Sequence, residues 1–279
     1  MSGRRDSNSR PPAPKAGILT GLNYYPLACG GPHKNYLLVS KKRAKVLQKN
    51  ELTKFFGKKV KYKAIFIDID DTLLDYIPCC RAAFEAAMPE HPEYFQLFFE
   101  ISGRLFSEAK HGLHTVAEVM DLYPQEFIAR MNELENERVS EAELSARVDT
   151  FKHAFRAAWG TTHTLVPEAK EMLELLKNKG YRLFAASNSF GHLQRSRLEH
   201  AGILPYFEDT FISMDIGYDK PDIRFYQEAL RRAGLQPHEV LMIGDSMTTD
   251  VLGAQAAGID ALFFDRRAGD SLLEIIKEL

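Results

Sequence analysis

Residues Ile67-Asp68-Ile69-Asp70-Asp71-Thr72 put three carboxylates within four positions, directly after the apolar run Ala64-Ile65-Phe66-Ile67. Carboxylates this close repel one another unless a cation or a basic group is present. If the extended geometry persists, alternation carries Asp68 and Asp70 to the same side of the chain. An isolated Asp-x-Asp reads as no more than an acidic turn closing a strand. Here three further groups follow in order, each after another apolar run, the second of them at the start of the next helix. They are Ser187-Asn188, Lys220-Pro221, and Gly244-Asp245-Ser246 with Asp250 five residues beyond Asp245.

These groups can meet only if the runs before them lie side by side. Ala64 to Ile67 shows no polar alternation, as expected of a buried parallel strand. Similar runs recur at 181–186, 210–212, 240–243 and 261–264. Helical patterns separate them. Met172, Leu173, Leu175 and Leu176 fall between Pro167 and Gly180, a start and a stop signal. Phe225, Tyr226 and Leu230 precede Gly234, and Val251, Ala254 and Ala257 precede Gly258. Leu272, Leu273, Ile275 and Ile276 follow a cap at Asp270 or Ser271. Strands alternating with helices predict an α/β fold, a doubly wound, Rossmann-like parallel sheet. Ligands bind such sheets at the carboxyl ends of the strands, where all four groups fall. Between Pro78 and about Thr164 the alternation stops. Helical patterns occupy 82–87, 95–106, 116–120, 127–134 and 144–159. We read this interval as an all-helical cap inserted after the first strand. The expected organisation is an N-terminal extension (1–59), a catalytic core (60–77 and 165–279) and a helical cap (78–164).

The four groups, in this order and each after a strand, resemble the motifs of the haloacid dehalogenase (HAD) superfamily. The resemblance covers residues 64 to about 268, and the insertion is similar to the helical cap of one branch. It implies that Asp68 is a nucleophile forming an aspartyl-phosphate. Asp70 would be the general acid, protonating the leaving oxygen and later activating water. Mg²⁺ would be held by Asp68, the backbone carbonyl of Asp70 and Asp245, with Asp250 in or near its surroundings. Ser187, Asn188, Lys220 and Thr72 would form the phosphate-binding set, Thr72 also bracing the loop. The dehalogenases of the superfamily lack the second Asp, so Asp70 points to phosphate esters. Asp71 and Asp75 read as structural.

Two longer stretches resemble the bacterial pyrimidine 5′-nucleotidase family. One is Ser187-Asn-Ser-Phe-Gly-His-Leu-Gln-Arg-Ser-Arg-Leu-Glu-His-Ala-Gly-Ile203 followed by Tyr206-Phe207. The other is Gly244-Asp-Ser-Met-Thr-Thr-Asp250 with Ala257-Gly-Ile-Asp260. The implied partner is a small phosphorylated substrate, a nucleoside monophosphate. The alternatives are another small metabolite such as phosphoglycolate or a sugar phosphate, or a phosphomutase on the same scaffold. Ser189 stands where those relatives usually have Gly, and Phe106 where Trp is common. Phe99, Arg104 and Phe106 are candidates for stacking on a base, or are cap core. His192, Arg195 and Arg197 read first as surface or packing groups and second as substrate contacts.

The bulk properties bound these readings. The chain of 279 residues is 45% hydrophobic and 27% charged, which excludes a wholly disordered protein. The net charge of −2 hides an asymmetry: residues 1–63 hold 15 Lys/Arg against 2 Asp/Glu. That stretch is expected to be a solvated tail, a contact for nucleic acid or an anionic surface, a transit peptide, or an over-extended translation start. We favour the two bland readings, a solvated tail or an over-extended start, over nucleic-acid binding, and a basic amphipathic helix is a reading for 41–63. Three Cys cannot all pair, and no uncharged run makes a convincing membrane span. The expected location is cytoplasmic, in a reducing compartment.

Overall fold

The apolar runs form a single parallel sheet. A computed structural model describes residues 62–279; the readings made for residues 1–59, and most of the helix expected over 41–63, lie outside the described residues. The strands are β1 (Ala64–Ile67), β2 (Arg182–Ser187), β3 (Asp209–Ile212), β4 (Val240–Gly244) and β5 (Asp260–Phe263). Each lies within one residue of its sequence-based limits. Their order is β3-β2-β1-β4-β5. The chain therefore runs outward from β1 on one side, then returns to start again on the other. Ile67 is in register with Ala185 of β2 and Ile243 of β4. The reversal beside β1 makes the carboxyl end of β1 and β4 the switch point of the sheet, the usual ligand crevice.

Both faces are covered, which is why the strands lack alternation. Ile65, Ile67, Leu183, Ala185, Leu241 and Ile243 face one core with helix α5 (Ala169–Asn178). Phe66, Phe184, Ala186 and Met242 face another with Phe225, Tyr226 and Ala229 of a later helix (Ile223–Ala233). Phe66 and Phe184 meet Phe211 edge-on and stacked, at 5.2 and 5.1 Å between centroids.

Four helices fill the inserted interval: α1 (Tyr76–Ala87), α2 (Phe95–Lys110), α3 (Val116–Leu134) and α4 (Glu141–Trp159). Their inward faces build a separate aromatic core around Phe84, Phe98, Phe127, Phe151 and Phe155. Two pieces of helix were expected over 116–134, yet α3 is continuous through Pro124. Proline removes the N–H that would bond the Met120 carbonyl. Nη2 of Arg156 on α4 donates to that carbonyl at 3.3 Å, so the neighbouring helix supplies the missing donor. A capping box of Thr115 and Glu118 starts the helix.

The cap hangs on two crossing segments that lie side by side. Asp75 N–H donates to Thr164 O at 2.8 Å, and Val166 N–H to Leu73 O at 2.9 Å. Cys79 and Cys80 are buried free thiols on α1. Among the described residues, no helix is long and apolar enough to cross a membrane.

Candidate active site

Asp68 follows β1 directly, and its N–H donates to Ile243 O of β4 at 2.9 Å. The ladder thus extends one residue past the strand and fixes the carboxylate at the switch point. Beyond it the chain turns sharply: Leu73 and Leu74 both donate to Ile69 O. Asp71 takes the left-handed conformation (φ 61°) that this turn needs and that Asp tolerates. Its carboxylate accepts the Tyr76 N–H, while Asp75 forms a two-pronged pair with Arg266 at 2.6 and 2.7 Å.

Lys220 is the hub of the site. Its ammonium donates to Asp68 Oδ1 at 2.7 Å, to Asp250 Oδ1 at 2.6 Å and to Ala186 O at 2.8 Å. All three donors are used, so the charge is tolerated at 3% exposure. Burial opposes that charge, but Asp250 and Asp68 outweigh it and hold Lys220 well above the ordinary lysine range. The loop that carries it precedes helix α8 (Ile223–Ala233), capped by Asp222. Between β2 and that loop run α6 (Gly191–His200), β3 and the short α7 (Ser213–Ile216). Asn188 was expected to contact phosphate. Its side chain instead donates to Lys220 O and accepts from Lys220 N, both at 2.8 Å. It holds the lysine loop in place and also lines the cavity, with one N–H and one acceptor site free of these bonds. Thr72 is wholly buried, with its hydroxyl 3.5 Å from Asp68 Oδ2. It braces the Asp68 side chain and does not line the cavity.

Asp250 lies in a π-helical turn, Met247–Leu252, started by Ser246, whose hydroxyl accepts the Thr249 N–H. Ser246 N–H donates to Asp250 Oδ2 at 3.0 Å. A Cβ at Gly244 would overlap this carboxylate. Glycine at the end of β4 therefore lets Asp250 fold back against the strand.

One carboxylate oxygen from each of Asp68, Asp245 and Asp250 lies within 4.8 Å of the other two. Burial, only partly offset by Lys220 and reinforced by Asp250, pushes Asp68 up to about 7. Burial, with Asp68 and Asp250 nearby, holds Asp245 well above the usual carboxylate range. The ammonium of Lys220 serves Asp68 and Asp250 and does not contact Asp245, and the carboxylate oxygens are hard donors. That set fits a hard divalent cation such as Mg²⁺.

Asp70 sits beside this cluster, its two oxygens held separately. Gln194 Nε2 donates to Oδ2 at 2.7 Å and also to Ser187 Oγ at 3.0 Å. Arg197 Nη1 donates to Oδ1 at 2.6 Å. The sequence reading did not single out Gln194, and it read Arg197 as a surface or packing group. The available signal was the buried stripe of α6: Leu193, Gln194, Arg197 and Leu198 share the spacing of an inward face. Two polar members of such a stripe must find buried partners.

Above these residues a cavity of about 1090 Å³ separates the sheet edge from the cap. Asp68, Asp70 and Asp245 line its floor; Phe99, Phe106 and Lys110 line its cap side. Arg104 is not among the lining residues. It pairs with Glu108 and Glu126 on the cap surface, which removes it as a candidate for stacking on a base.

What fold and site define first is a class: hydrolases working at the switch point of a capped α/β sheet. A family model described as haloacid dehalogenase-like hydrolase matches residues 62–258. The chain belongs to that family and, with Asp70 in place, is one of its phosphatases. It is 30% identical over 209 residues to a glyceraldehyde 3-phosphate phosphatase of Methanothermobacter thermautotrophicus, covering 72% of this chain and 84% of the relative. It is 28% identical over 211 residues to pyrimidine 5′-nucleotidase PynA of Streptococcus pneumoniae, covering 73% and 84%. Among solved structures, the HAD-hydrolase YfnB of Bacillus subtilis, crystallised with magnesium, matches with a TM-score of 0.63 at 23% identity. That match covers 73% of this chain and 87% of YfnB.

Proposed function

We propose that the protein is a Mg²⁺-dependent 5′-nucleotidase, acting on nucleoside monophosphates, pyrimidine ones foremost, through an aspartyl-phosphate on Asp68. One observation carries the choice of substrate: a charged floor opens into a large chamber walled by Phe99 and Phe106. A triose phosphate would leave most of that volume to water, whereas a base offers a flat apolar face to aromatic side chains. The likeness to PynA supports the same reading.

In this account Lys220 and the Ser187 hydroxyl receive the phosphoryl oxygens, Lys220 giving up its hydrogen bond to Asp68 as that carboxylate attacks. Mg²⁺, held by Asp68, the Asp70 carbonyl and Asp245 and steadied by Asp250, would offset the charge gathered there. An Asp68 oxygen attacks phosphorus in line while the bond to the ribose oxygen breaks. Protonated Asp70 gives its proton to that oxygen. As a carboxylate it then takes a proton from water, which attacks the phosphorus and releases phosphate and free Asp68. The buried free thiols support the cytoplasmic location read from the sequence.

A panel of nucleoside monophosphates, triose and sugar phosphates and phosphoglycolate, assayed for phosphate release, tests the proposal. Release is expected from pyrimidine nucleotides first, to stop with chelator, and to be lost in Asp68→Asn. Preference for a triose phosphate would overturn the nucleotidase reading. An isomerised sugar phosphate without free phosphate would favour a mutase.

A further inference from the structure

Arg197 is wholly buried although it carries a permanent charge. Its contacts come from three parts of the molecule. Nη1 donates to Asp70 Oδ1 at 2.6 Å and to Gln194 Oε1 at 2.8 Å. Nε donates to Thr162 O at 3.2 Å, on the segment that returns from the cap. The guanidinium carbon lies 3.9 Å from the ring centroid of Trp159, the last residue of α4. Nη2 is buried and has no hydrogen-bond partner among the described residues.

The guanidinium therefore grips Asp70 at one point rather than with a two-pronged fork. Gln194 holds the other carboxylate oxygen and ties it to Ser187. Both donors come from α6, so the helix after Ser187 fixes the direction of the Asp70 side chain. The platform under Arg197, however, belongs to the cap and its return segment. A rotation of the cap about its two crossing segments would move Trp159 and Thr162, and the guanidinium with them.

We propose that Arg197, together with Gln194, is a positioning residue for Asp70, and that it couples the carboxylate's orientation to the position of the cap through Trp159. This rests on the reading of Asp70 as the general acid. It assigns to the pair no contact with substrate.

The test compares two leaving groups on the full-length enzyme with Mg²⁺. The ribose oxygen of a nucleotide needs a proton to depart; 4-nitrophenolate does not. The ratio of single-turnover rates of leaving-group release on the two substrates cancels any loss of folded protein. Because Asp70 also activates the water that both substrates share, the readout is leaving-group release in a single turnover: in Arg197→Lys and Gln194→Leu it is expected to slow about a hundredfold on the nucleotide and less than about threefold on 4-nitrophenyl phosphate. Trp159→Leu is expected to show the same split in smaller measure. Asp70→Asn serves as the reference and is expected to show it in full. If Asp70→Asn splits the substrates but Arg197→Lys and Gln194→Leu lower both alike, the positioning role is wrong and the acid role stands. If Trp159→Leu lowers both alike, the coupling to the cap is wrong. If Asp70→Asn itself shows no split, the acid role fails and this proposal with it.

Discussion

Lys220 explains more of the site than any other single residue. It ties together Asp68, Asp250 and the end of β2, and Asn188 in turn fixes its backbone. Even so, one ammonium leaves an excess of negative charge among Asp68, Asp245 and Asp250. That excess makes a pH-dependent prediction. Asp68 is raised to about 7, and Asp245 is raised as well. An unfolded Asp titrates near pH 4, so between roughly pH 4 and 7 the folded, metal-free protein binds protons that the unfolded chain does not. Stability from this source is present below that window and lost as pH rises through 7. A bound cation replaces those protons. The rise in Tm on adding Mg²⁺ is therefore expected to be larger at pH 8 than at pH 5, in melts run against chelator. Equal increments at both values would contradict the charge account.

At the level of elements, much was legible and the exceptions have physical causes. The strands could be read because burial on both faces leaves an unbroken apolar run of the right length. Asp68, Ser187, Lys220 and Asp245 could be placed because each follows such a run. Gln194 was missed, and Arg197 was read as surface or packing without its bond to Asp70, because α6 is mostly polar and a polar helix reads as a solvated one. Its buried stripe is apolar at Leu193 and Leu198 only, the remainder being satisfied by Asp70, Ser187 and Trp159. The continuity of α3 through Pro124 was illegible for another reason: the compensating donor, Arg156, lies 36 positions away in sequence. One cross-contact between elements carries its own prediction. Asp219, next to Lys220, accepts the Val116 N–H at the start of α3, at 2.9 Å. It joins cap to core across the mouth of the cavity. Asp219→Ala is expected to raise KM for the substrate several-fold while changing unfolding free energy by only about 1 kcal/mol. An unchanged KM would show that this contact does not hold the cap.

Over the whole molecule, chemistry and selectivity come from different layers. The sheet and its loops supply the nucleophile, the acid, the cation site and the lysine, and these follow from four short stretches of sequence. The cap supplies the wall that a leaving group would meet. Its side chains face an aromatic core on one side and the cavity on the other, and a helical pattern alone does not say which aromatic does which. Phe98 belongs to the core and also borders the cavity, Phe106 packs against that core while lining the cavity, and Arg104 faces outward. This is why the class was legible from the sequence and the substrate rests on a proposal. The role of Asp68 underlies all of it. Its most direct test is a rapid acid quench of stoichiometric enzyme, Mg²⁺ and a nucleotide with radiolabelled phosphate. The account predicts transient label on the protein, mapped to the peptide containing Asp68 and absent in Asp68→Asn. Full-rate phosphate release with no label at any quench time, or an undiminished rate in Asp68→Asn, would contradict it.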